Sequence, residues 1–146
     1  MSIEDDVALL ERVPTLRLLG NTALRVLAIG ADQRDLSRGD VLFSIGENAD
    51  AGYVVQRGAF RVEDGGAEII AGPGALIGEL ALIVAMQRPS SAVAIEHSTV
   101  IRIARSLFQR VLESDPAAAR RLRDELANRT SQIASDMLMA SAKLTS

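Results

Sequence analysis

Gly78-Glu79-Leu80-Ala81-Leu82, followed by Arg88-Pro89-Ser90-Ser91-Ala92, places a carboxylate and a guanidinium nine positions apart on either side of a short apolar turn. Upstream, Ala71-Gly72-Pro73-Gly74-Ala75 lets the backbone turn tightly, because glycine accepts φ > 0 and proline pre-sets φ. Gly78 then opens what reads as one helical turn, whose first N–H groups have no intrahelical partners. Such groups attract anions, and an arginine returning from the next segment adds a forked, permanently charged phosphate clamp. Glu79 repels phosphate and is suited to accept hydrogen bonds from a neutral hydroxyl. A phosphate site beside a sugar-hydroxyl site points to a nucleotide.

Composition bounds the alternatives. A chain of 146 residues, 48% hydrophobic, is one ordinary folded domain with a single core. It contains no cysteine, which removes disulfide scaffolds, thiolate metal sites and iron–sulfur sensors. The acidic start Met1-Ser2-Ile3-Glu4-Asp5-Asp6 lacks the basic and apolar regions of a signal peptide. No apolar run approaches the ~20 residues of a membrane helix. A cytoplasmic protein that avoids membranes is the expectation. A net charge of −3 disfavours a nucleic-acid surface.

Along the chain, residues 4–12 and 15–29 carry apolar positions at helical spacing: Val7, Leu10, Leu16, Leu19, Leu24 and Leu27. Asn21 or Thr22 can cap a helix that Gly30 stops. From about 32 to 104 short β-type runs alternate with Gly-rich breaks: Val41–Ile45, Tyr53–Gln56, Phe60–Glu63, Glu68–Ala71, Ala92–Ile95 and Val100–Ile103. Asp64-Gly65-Gly66 is a hairpin signal, and Glu96-His97-Ser98-Thr99 a softer turn. Such short, evenly spaced strands suggest an antiparallel roll or barrel. Helical character returns at Ser106, a candidate cap for a helix through Leu112. Ser114 or Asp115 then caps a second helix with Pro116 at its first position. Its apolar stripe runs through Leu122, Leu126, Ile133, Met137 and Leu144.

The turn of residues 78–82 with Arg88 resembles the phosphate-binding cassette of cyclic nucleotide-binding domains, the family shared by catabolite activator-type regulators, cyclic-nucleotide-dependent kinases and cyclic-nucleotide-gated channels. The spacing is similar to the kinase and channel version. The upstream half is similar too: Arg38-Gly39-Asp40-Val41-Leu42-Phe43, Gly46-Glu47-Asn48-Ala49-Asp50, Tyr53-Val54-Val55 and Gly58. The resemblance covers roughly residues 8 to 140.

It implies a mainly β protein with flanking helices. N-terminal helices would occupy 1–31, an eight-stranded antiparallel β-roll 32–104 with its cassette at 78–91, and two C-terminal helices 105–146. It also implies a regulatory domain that is not an enzyme and whose ligand is cAMP or cGMP. In that reading Arg88 pairs with the exocyclic phosphate, joined by the N–H groups of Leu80 and Ala81. Glu79 holds the ribose 2′-hydroxyl, Gly78 allows close backbone approach, and Pro89 and Ser90 complete the cassette. Val55, Ile69 and Ile77 form an apolar wall for the base. The C-terminal helix folds over the base as a lid, with Arg129, Thr130 and Ile133 as its contact positions. Cyclic-GMP-preferring relatives tend to carry threonine after the cassette arginine; Pro89 tilts the expectation toward cAMP.

A ligand-free dimerisation or docking module of the same fold is the second reading. It rests on the C-terminal stripe and the small residues Ala134, Ala140 and Ala142, since a self-complementary helix pair builds a two-fold dimer. Either way the signal passes to a protein effector or to a second copy. Arg120, Arg121, Arg123 and Arg129 interleave with Asp124, Glu125 and Asp136, as on a solvated helix face. His97 is the only histidine, far in sequence from any carboxylate pair, and a metal site needs several convergent ligands. Gly46–Asp50 reads as a loop between strands, and Met137 and Met139 as adaptable packing.

Overall fold

Two strands run apolar on both faces and organise the rest. The computed structural model describes residues 2–64 and 66–128. Among these, α1 (Ile3–Glu11), α2 (Pro14–Arg17) and α3 (Asn21–Gly30) precede the strands. Then come β1 (Asp32–Leu36), β2 (Val41–Phe43), β3 (Asn48–Ala49), β4 (Ala51–Arg57), β5 (Phe60–Asp64), β6 (Ala67–Ala71) and β7 (Leu76–Ile77). A 3-10 turn (Glu79–Leu82), β8 (Met86–Gln87), β9 (Ser91–Ala94), β10 (Ser98–Ala104) and α4 (Arg105–Ser114) follow. A last helix, α5, covers 116–128 of the described residues.

The strands form two four-stranded antiparallel sheets, β1-β10-β4-β7 and β2-β9-β5-β6, with β3 and β8 making a small separate ladder. This is the expected roll, its eight principal strands supplemented by the β3–β8 patch.

Side-chain alternation along β4 and β10 divides the interior. Tyr53, Val55 and Val100 point into the roll with Phe43, Phe60, Ala71, Ile77, Ala92 and Ala94. Val54, Ile101 and Ile103 point the other way, onto a helical layer of Leu10, Leu16, Leu24, Leu27, Phe108 and Leu122. Both faces of these strands are therefore covered, which is why Tyr53-Val54-Val55 and Val100-Ile101 read as unbroken apolar runs.

The hairpin signal at 64–66 joins β5 to β6, with Asp64 opposite Ala67 and Gly66 at φ 92°. A second turn requires glycine for space: a Cβ on Gly58 would lie 2.2 Å from Ser98 Oγ. That hydroxyl, fully buried, accepts from Ala59 N–H and donates to Glu96 C=O.

Several local expectations change. The helical run 15–29 is two helices, broken where Gly20 turns at φ 88° and serves as N-cap, so neither Asn21 nor Thr22 caps. Ser106 is inside α4 and Ala104 precedes it; the Arg105 N–H is satisfied by Asp50 C=O (2.8 Å), which makes a side-chain cap unnecessary. The turn after β9 is shorter than expected, with β10 beginning at Ser98 and His97 exposed just before it. β1 escaped the hydrophobic pattern because four of its five residues are exposed. By contrast, Asp115 Oδ1 accepts from Ala118 N–H (3.1 Å), with Pro116 opening α5, as the sequence indicates.

Candidate functional site

Arg88 reaches its place through main-chain pairing. The β3–β8 ladder aligns Asn48 with Gln87 and Ala49 with Met86. Just beyond it, Arg88 N–H donates to Glu47 C=O (2.7 Å) and Gly46 N–H donates to Arg88 C=O (2.8 Å). The segment 46–50, expected as a loop but carrying β3 at Asn48–Ala49, is thus the splint that fixes the arginine backbone. The side chain then turns inward and is only 4% exposed. Nη2 donates to Ala51 C=O (2.8 Å). The guanidinium carbon stands 4.2 Å from the Phe43 ring centroid and 5.6 Å from that of Tyr53, within cation–π range.

Burial lowers the proton affinity of this guanidinium, and the Tyr53 hydroxyl, Asp50 and Glu47 partly oppose the effect. The group still carries its charge at neutral pH. Among the described residues no carboxylate lies within 4.0 Å of it; Asp50 is engaged by Arg102 at 3.1 Å instead. Among the described residues, Phe43, Tyr53 and one carbonyl hold a desolvated cation with no carboxylate in direct contact. Such a cation is costly to bury alone and favours an incoming anion.

Gly78 stands against it. Its backbone is left-handed, φ 78° and ψ 40°, and a Cβ there would lie 2.6 Å from Arg88 Nη1. Glycine is needed on both counts. The 3-10 turn that follows donates Ala81 N–H to Gly78 C=O (3.1 Å), so one of the two N–H groups expected at a phosphate has an internal partner.

These residues border a cavity of about 430 Å3, in the range of small-ligand sites. Gly78, Glu79, Leu80, Ala81, Arg88, Pro89, Ser90, Ile69 and Ile77 all line it. Val55 does not: it is fully buried inside the roll with Phe60 and Val100. Its strand position aims it at the core, and Val62, Ile70 and Leu76 contribute apolar wall instead. Ile69, Ile70 and Leu80 are each more than half exposed at the mouth. The lid positions Arg129, Thr130 and Ile133 lie outside the described residues, as do Met137 and Leu144 of the stripe.

Sequence reasoning missed three contributors. Phe43, the last residue of the Arg38–Phe43 run, is the platform under Arg88. Arg105 Nη1 donates to Ala49 (2.8 Å), Val84 (3.1 Å) and Ala81 (3.2 Å) carbonyls, tying α4 to the cassette turn. Thr15 donates its hydroxyl to Glu79. Local spacing carries no trace of contacts across such separations.

The fold is thus a small β-roll with a buried, charged arginine beside a largely apolar cavity. The chain belongs to the cyclic nucleotide-binding domain family, whose profile matches residues 33–115. A solved structure of a cyclic nucleotide-binding-like protein from Brucella abortus is 38% identical, with a TM-score of 0.67, covering 75% of this chain and 98% of that one. The N-terminal domain of a transcriptional regulator from Streptomyces coelicolor superposes with a TM-score of 0.77 at 27% identity, covering 86% of this chain and 94% of that domain. A Rhodopseudomonas palustris protein carrying the name of a potassium channel is 27% identical over 101 residues, 66% of this chain but only 24% of the relative's length. Among the described residues no helix is long and apolar enough to cross a membrane.

Proposed function

We propose that this chain is a cytoplasmic sensor domain that binds a purine cyclic nucleotide, cAMP in preference to cGMP, and passes the signal to a protein effector. The observation that carries the reading is Arg88: buried, charged, without a carboxylate partner among the described residues, and facing the cavity across Gly78. A cyclic phosphate supplies the missing counter-ion. Glu79, one residue beyond Gly78 on the same cavity wall, accepts from the ribose 2′-hydroxyl, and Leu80 N–H bonds the phosphate. Ile69, Val62 and Leu80 cover the base. Pro89 brings no side-chain hydroxyl to the base, which favours adenine. Binding is the whole task in this reading; no residue is assigned to catalysis, and the ligand needs no further cofactor.

The response runs to the C-terminal helix. Ile83, the residue that closes the cassette turn, faces Leu122, Arg123 and Leu126 of α5 across a shallow groove. Leu122 is buried in the domain's own core and Leu126 packs against it. The described part of the apolar stripe is therefore used internally, and a homodimer through this helix would draw on positions beyond 128. A ligand can drive such a movement only by binding one arrangement better than the other.

Calorimetric titration of the nucleotide-free protein with cAMP and with cGMP tests the proposal, alongside Arg88→Ala. Micromolar or tighter binding that weakens by roughly 2–5 kcal/mol in the variant is expected. A well-folded wild type that binds neither nucleotide would remove the reading and leave the ligand-free docking module in its place.

A further inference from the structure

We infer that Thr15, on the N-terminal helices, is a positioning residue for the carboxylate that reads the ribose hydroxyl; this rests on the cyclic-nucleotide reading above. Thr15 is only 4% exposed, and its Oγ1 donates to Glu79 Oε1 at 2.5 Å, a contact between residues 64 apart in sequence. A buried hydroxyl needs a partner. A carboxylate is an acceptor with about four lone-pair positions on two oxygens. Thr15 therefore fixes the direction of one oxygen of the Glu79 carboxylate.

The arrangement pre-orders Glu79. A free glutamate side chain has several rotamers, and a ligand that must select one loses affinity. Thr15 is itself held firmly. Pro14 opens α2, Arg17 N–H bonds back to Val13 C=O (2.9 Å), and Leu16 and Leu19 are fully buried. Beyond the end of α2, Arg121 of α5 donates to the carbonyls of Leu18 (2.7 Å) and Leu19 (3.0 Å). The glutamate's position thus depends on a threonine of α2, and the residues that follow this helix, Leu18 and Leu19, are held by Arg121 of α5.

The consequence is specific to one functional group of the ligand. Replacing Thr15 should weaken ligands that have a 2′-hydroxyl and spare those that lack it. The test titrates the full chain with cAMP and with 2′-deoxy-cAMP, for wild type, Thr15→Val and Thr15→Ser. Thr15→Val is expected to weaken cAMP about tenfold, the loss of one hydrogen bond to a charged group. It should leave 2′-deoxy-cAMP within about twofold, and Thr15→Ser should restore cAMP binding. If Thr15→Val does not fold, Thr15→Ala, which adds no bulk, is read the same way. Equal weakening of both nucleotides, or no weakening of cAMP, overturns the role of Thr15 while the nucleotide reading stands. A wild type that binds neither nucleotide overturns both.

Discussion

The guanidinium of Arg88 occupies the place where a side chain on Gly78 would begin: Nη1 lies 2.6 Å from the position of a Cβ there. One residue gives up its side chain so that another can bring a charge to the cavity wall. The pair ties the glycine to the position of the arginine as well as to the turn.

Gly78→Ala should therefore fail twice. The left-handed φ of 78° costs a non-glycine residue about 1–2 kcal/mol, and the new methyl displaces the guanidinium. Urea denaturation should show the stability loss, and titration with cAMP should show binding weakened, though less than in Arg88→Ala, which removes the charge altogether. Retained affinity would mean that the guanidinium does not need its present position.

Arg88→Met separates stability from binding. The native side chain is desolvated with one carbonyl and two rings as partners, so an apolar chain of similar length should fit at little cost. We expect ligand-free stability within about 1 kcal/mol of wild type or above it, and no thermal shift on adding cAMP. A loss beyond about 3 kcal/mol would show that Arg88 is a structural keystone of the roll.

Arg105→Ala should loosen the cassette without touching the cavity. It removes a guanidinium that serves the carbonyls of Ala49, Ala81 and Val84. A loss of about 2–3 kcal/mol is expected by chemical denaturation. Hydrogen exchange should rise around 79–84. Arg105→Lys should recover only part, because an ammonium lacks the planar fork.

Ile69→Ser tests the wall. The side chain is 58% exposed, so its replacement should change stability by less than about 0.5 kcal/mol. Affinity for cAMP should still fall several-fold, since each apolar carbon covered by the base contributes about 0.8 kcal/mol. An unchanged affinity would place the base elsewhere in the cavity.

Much of this was legible in the chain itself. Asp64-Gly65-Gly66 marked the β5–β6 hairpin, Asp115-Pro116 the start of α5, and the 78–88 segment the cavity, because each signal depends on neighbours in sequence. β1 was not legible: its residues are mostly exposed, and its strand character comes from pairing with β10. Val55 was misplaced as a wall residue for a related reason. Alternation says that Val54 and Val55 point in opposite directions, but not which direction holds the ligand.

The sequence by itself determined the antiparallel roll, its helical flanks, and the glycine, glutamate and arginine of the cassette, through turn chemistry, periodicity and charge type. Only the tertiary structure decided what those groups meet. It set Arg88 on Phe43 and Tyr53, gave Ala51 C=O to its guanidinium, and brought Thr15 to Glu79. These contacts join segments that sequence spacing leaves unrelated, and they form only when the two sheets and the helical layer close on their shared strands.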